Sequence, residues 1–81
     1  LYLIWRKPWM GIGGDTFIHA MLSKAGLQNV LADKVRYPEL TLNQMSACQP
    51  DYLFLSSEPF PFKAEHLAEL KPFFPKTQIR L

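Results

Sequence analysis

The chain has 81 residues, enough for one domain at most, and a chain of this size buries only about 60% of its unfolded surface. Hydrophobic residues make up 48% and charged residues 20%, a balance that excludes a disordered tail. Nine Lys and Arg stand against seven Asp and Glu for a net charge of +2, with no basic stripe, so nucleic acid is not an expected partner, and no apolar run reaches membrane-spanning length.

Leu1-Tyr2-Leu3-Ile4-Trp5 is continuously apolar, as in a strand buried on both faces of a parallel sheet. A loop, Arg6–Gly14, follows. Asp15 can then N-cap a helix whose Phe17, Ile18, Met21, Leu22 and Ala25 share one face, with Gly26 as its stop. Asn29-Val30-Leu31-Ala32 reads as a short second strand. Thr41 can cap a second helix through about Gln49, with Leu42, Met45 and Cys48 as its apolar stripe, ended by Pro50-Asp51. Tyr52–Ser56 is the clearest strand. Lys63–Lys71 forms a third helix presenting Leu67 and Leu70, closed by Pro72, and Gln78–Leu81 reads as a fourth strand. The chain starts and stops inside apparent strands, so both ends look cut. The single cysteine, Cys48, excludes an intrachain disulfide and leaves the compartment open.

Strand–helix alternation predicts an α/β fold: a parallel sheet of about four strands with flanking helices. The preferred order, 2-1-3-4, puts the strands at Leu1 and Tyr52 side by side at a switch point, where open sheets of this class bind ligands beyond the strand C-termini. The loops leaving those strands carry Arg6, Trp9 and three glycines, and Ser57-Glu58-Pro59-Phe60-Pro61-Phe62. Arg36, Tyr37 and Glu39 follow the expected second strand. Forked Arg donors suit carboxylates or phosphates and aromatics give stacking faces, although a lone aromatic more often caps a core.

Gly11-Ile12-Gly13-Gly14-Asp15-Thr16 begins like a dinucleotide fingerprint, with Asp33 near the ribose-binding position. It lacks the final glycine and the tight strand-to-helix turn, and Asp15 would set a carboxylate where phosphate belongs. Ser56 and Ser57 follow a strand without a nucleophile-elbow motif. His19, His66 and Cys48 show no metal-ligand spacing, and no cofactor or catalytic residue is expected.

The ordered set Gly14-Asp15-Thr16-Phe17-Ile18, Met21-Leu22, Ala25-Gly26, Asn29-Val30, Tyr37-Pro38-Glu39-Leu40-Thr41, Gln44 and Pro50–Leu55 resembles the C-terminal lobe of helical-backbone periplasmic binding proteins. These serve ABC importers of ferric siderophores, haem and vitamin B12. The resemblance covers nearly the whole chain. It implies a single Rossmann-like lobe, a fragment of a two-lobe protein whose partner lobe and linking helix are missing. It implies capture of a metal chelate or corrinoid without turnover, and partnership with ABC permease subunits. The implied location is periplasmic or lipid-anchored at the cell surface. By position, the implied ligand contacts are Trp5, Arg6, Trp9, Arg36, Tyr37, Ser57, Glu58 and Phe60. The implied transporter-docking carboxylate falls on neutral Asn43, with Glu39 the nearest substitute. Two rival readings are a nucleotide-binding Rossmann-type enzyme fragment and a ligand-sensing module without transport.

Overall fold

The computed structural model describes residues 1–81, and begins with the apolar run: β1 is Tyr2–Trp5. A tight turn over Arg6-Lys7-Pro8, with Lys7 at φ 61°, reverses the chain into β2, Trp9–Gly11, antiparallel to β1. Helix α1, Phe17–Lys24, follows. β3 is Glu39–Leu40, α2 is Leu42–Ala47, β4 is Tyr52–Leu55, and α3, Ala64–Leu70, runs on into a 3-10 turn at Lys71–Phe73 before β5, Gln78–Arg80. The fold is α/β, a five-stranded sheet in the order β3-β2-β1-β4-β5 with flanking helices.

The adjacency of the two most apolar strands is as the sequence reading expects: β1 pairs with β4 in parallel, Tyr2 opposite Phe54 and Leu3 opposite Leu55. β4 pairs in parallel with β5. On the other side of β1 the expectation is corrected. The place assigned to Asn29–Ala32 is taken by β2, which pairs antiparallel with β1 and with β3, so the sheet is mixed and has five strands rather than four. Asn29–Ala32 is instead a turn. The Asn29 side chain accepts from Leu31 N–H at 3.1 Å and donates to the Ile12 carbonyl at 2.9 Å, the local bonding that draws Asn away from ladders and into turns. That turn buries Leu31 against Gly11, where a Cβ would come within 2.5 Å of the leucine side chain.

Helix boundaries follow from their caps. The N-cap of α1 is Thr16, not Asp15: Thr16 Oγ1 accepts from His19 N–H at 3.1 Å, while the Asp15 carboxylate accepts from Arg36 N–H at 2.5 Å. At the other end Gly26, at φ 82°, makes the left-handed stop. Its N–H donates to Ser23 and that of Leu27 to Leu22, the paired pattern that satisfies a helix's last carbonyls. Thr41 and Gln44 cap α2 reciprocally, at 3.1 and 2.8 Å. His66 Nδ1 accepts from Lys63 N–H at 2.9 Å at the start of α3.

The core lies on one sheet face. Leu1, Leu3, Leu53 and Leu55 alternate onto it, and Met45, Leu70, Phe62, Phe74 and Leu31 close over them, with Leu42, Leu67 and Ile79 at its margin. The opposite face carries Tyr2, Phe54 and Tyr52, whose rings contact in series at 6.2 and 6.0 Å. Helix α1 buries none of its residues, and Phe17 and Met21 are 78% and 54% exposed. No helix is long and apolar enough to cross a membrane.

Candidate functional site

Strand direction places the C-terminal ends of β1 and β4 together, so the turn after Trp5 and the loop after Leu55 meet at one end of the sheet. Trp5, the last residue of β1 and paired with Met10, continues the core-facing alternation beyond the end of β4 and is 37% exposed. Its indole meets Phe60 edge-on, with ring centroids 5.6 Å apart. Phe60 packs edge-on against Phe62 at 4.7 Å, and Phe62 stacks on Trp9 at 6.4 Å with the planes 11° apart. The His66 ring closes the group beneath, 5.2 Å from Phe60 and 5.6 Å from Phe62. Trp9 stays half-buried and Phe62 is buried, so the cluster is a ledge: a buried ring supports two indoles and a phenyl that face solvent in part. Ser57 and Glu58 flank it, both exposed.

Arg6 is not free at this ledge. Its guanidinium lies 5.7 Å from the centre of the Trp9 ring and holds both oxygens of Glu69, Nε to Oε1 at 3.0 Å and Nη2 to Oε2 at 2.6 Å. The Arg6 hydrogen bond is the main cause holding the Glu69 carboxyl below its ordinary value of 4.5, with the nearby charges of Arg6, His66 and Lys7 acting the same way. The same bond raises Arg6 above its ordinary value. Glu69 lies on α3, and sequence reading had no reason to single it out. Its spacing from Leu70 and His66 marks only an exposed helix position, and its partner is 63 residues away.

The expected contacts divide by place. Trp5, Arg6, Trp9, Ser57, Glu58 and Phe60 come together at this end. Arg36 and Tyr37 do not: Gly13 N–H donates to the Arg36 carbonyl at 2.7 Å, beyond the Gly11–Leu3 pairing, so that segment runs toward the N-terminal end of β1. Glu39, opposite Met10, and Asn43, in the first turn of α2, are exposed at the sheet's β3 edge.

The glycines do not form a phosphate cradle. A Cβ on Gly13 would strike the Lys34 carbonyl at 2.5 Å and one on Gly14 would overlap the Ala32 carbonyl, so both glycines serve a close backbone approach to the 32–36 segment. Two surface hollows of about 400 and 420 Å³ lie at the opposite end of the parallel strands, the first lined by Leu22, Leu27, Asp51, Tyr52 and Phe54 among others, the second by Ser46, Phe73 and Thr77. Neither touches the aromatic ledge. Ser56, buried where β4 ends, has a hydroxyl without a hydrogen-bond partner. No three His, Cys, Asp or Glu side chains gather as a metal-binding group.

No protein-family model matches the chain, and no curated protein matches its sequence. Two solved structures share the fold. A possible iron-binding (periplasmic solute-binding) protein from Staphylococcus epidermidis superposes with a TM-score of 0.80 at 20% identity, covering 98% of this chain and 33% of its own. The periplasmic vitamin B12-binding protein BtuF of Vibrio cholerae superposes with a TM-score of 0.68 at 24% identity, covering 99% of this chain and 33% of its own. The chain thus has the fold of part of such a protein and spans a third of the length of each.

Proposed function

We propose that this chain is one lobe of a two-lobe solute-binding protein, C-terminal in the whole, and that it captures a small molecule for an ABC importer without chemical turnover. The observation that carries the reading is the aromatic ledge of Trp5, Trp9 and Phe60 at the C-terminal ends of two adjacent parallel strands. Open α/β sheets present ligands at that place, and large rigid rings give contact area at little entropic cost. Two structures with this fold are described as a possible iron-binding protein and a vitamin B12-binding protein, so a metal chelate or a corrinoid is the proposed ligand class. Trp5, Arg6, Trp9, Ser57, Glu58 and Phe60 form the proposed wall of the cleft. Glu39 and Asn43 lie on the proposed permease-facing edge. The proposed location is the periplasm or, with a lipid anchor, the cell surface.

The only tryptophans of the chain, Trp5 and Trp9, both stand on the ledge, so indole emission reports binding there. Titration with cyanocobalamin and with a ferric tris-catecholate is expected to quench that emission saturably for at least one of them. Trp5→Ala is expected to weaken the effective ligand about two- to tenfold, the worth of one aromatic contact. Saturable quenching by a nicotinamide dinucleotide alone would overturn the reading in favour of a nucleotide enzyme.

A further inference from the structure

The cation nearest the ledge is already spent on Glu69. Two hydrogen bonds at 3.0 and 2.6 Å use the fork of Arg6, and the paired side chains retain only 23% and 37% of their exposure. The bond joins the turn that leads into Trp9 of β2 to helix α3, which carries His66. It continues as one unbroken set of contacts: Glu69 to Arg6, Arg6 over Trp9, Trp9 on Phe62, Phe62 on Phe60, Phe60 on Trp5. The remaining charges of the two loops and α3 are Lys7 and Lys63 against Glu58 and Glu65, so the surroundings carry no surplus of either sign.

We propose that Glu69 is a positioning residue that sets the ligand class of this site: by clamping Arg6 it holds the Trp9 indole in place and withdraws the guanidinium, so the ledge selects a neutral ligand with a broad apolar face over an anionic one. This rests on the binding reading above and narrows it. A bidentate pair has a defined geometry that a single ion contact lacks, so it can hold the turn's orientation as well as cancel its charge. An anionic ligand must either compete with Glu69 for the Nε–Nη2 edge or approach the Nη1 side of a guanidinium whose charge Glu69 already offsets, whereas a neutral apolar face meets the indoles at no such cost.

The test compares two probes on the full-length protein that carries this lobe, by isothermal titration calorimetry, with far-ultraviolet circular dichroism to establish that each variant is folded. Cyanocobalamin is the neutral probe and a trianionic ferric tris-catecholate the anionic one. The unaltered protein is expected to bind cyanocobalamin more tightly. Glu69→Gln keeps the side chain's shape and releases the Arg6 charge, so it is expected to tighten the anionic probe about two- to fivefold and weaken the neutral one. Arg6→Gln with Glu69→Gln removes both charges and is expected to lose the gain for the anion. Equal weakening of both probes by Glu69→Gln, or no change in either, would overturn the clamp while leaving the binding reading intact. If the unaltered full-length protein binds neither probe, the binding reading falls and the clamp falls with it.

Discussion

Two residues to which the sequence pattern gives no positioning role do much of the positioning. Asn29 is buried, with its amide bridging the Ile12 carbonyl and the Leu31 N–H and lying 3.2 Å from His19 Nδ1. Asn29→Ala would leave those backbone groups buried without partners, and is expected to cost about 1–3 kcal/mol in denaturant unfolding. Asn29→Asp keeps the acceptor but loses the donor to Ile12, so most of the loss is expected to remain. Glu69 gives a second, pH-linked outcome. Its folded-state carboxyl titrates below its ordinary 4.5, so the pair's contribution is present above that value and fades as pH falls through the lower folded-state value. Acid titration is expected to change indole emission in that window, through the Arg6 that lies over Trp9, and Glu69→Gln to abolish the step. An identical acid transition in Glu69→Gln would assign it to another carboxylate. The contribution to global stability is expected to be small because water screens both groups.

At the scale of elements, short helices here depend on their ends. Helix α2 has six residues, too few to be stable alone in water, and its two reciprocal cap bonds offset part of that deficit. It delivers Met45 fully buried into the core. Thr41→Ala is expected to cost about 1 kcal/mol, which in a domain of this size lowers the melting temperature by about 4–8 °C. Thr41→Ser, which keeps the hydroxyl, is expected to restore most of it. Equal melting points for all three forms would mean that the packing of Met45, not the cap, holds the helix.

For the whole molecule, one sheet face is well covered and the other is not. Phe17, Met21 and Val35 remain 78%, 54% and 70% exposed, and the rings of Tyr2, Phe54 and Tyr52 run across the face away from the core. The sheet's edges are a two-residue β3 and a β5 whose Gln78 and Arg80 face solvent. Exposed apolar surface and open edges both favour contact with another chain. Static light scattering over a concentration series is expected to show reversible self-association. The double change Phe17→Glu with Met21→Glu is expected to weaken it if the helix is the contact, and to leave it unchanged if β5 pairs instead. A strictly monomeric chain at all concentrations would show that neither surface is sticky enough to matter.

What the sequence determined by itself was local or strongly apolar. The runs of β1 and β4 identify the central parallel pair, Gly26 marks the stop of α1, Thr41 marks the start of α2, and the loops bearing Trp5, Trp9 and Phe60 meet at one end of the sheet because those strands are neighbours. Each of those signals lies within a few residues or follows from burying the most apolar segments first. Only the tertiary structure decided what has no local signature. Trp9–Gly11 and Glu39–Leu40 are too short to show a period, and they become strands because β1 leaves an edge that the Arg6-Lys7-Pro8 turn folds back to fill. Asn29–Ala32 has the apolar content of a strand, yet a side-chain amide that satisfies its own turn wins once that edge is occupied. Arg36 and Tyr37 separate from the ledge because β2 runs antiparallel and carries its partner segment to the opposite end of the sheet. Arg6 reads in sequence as a free cation and proves to be half of an ion pair, since a charge finds its partner through space, here across 63 residues.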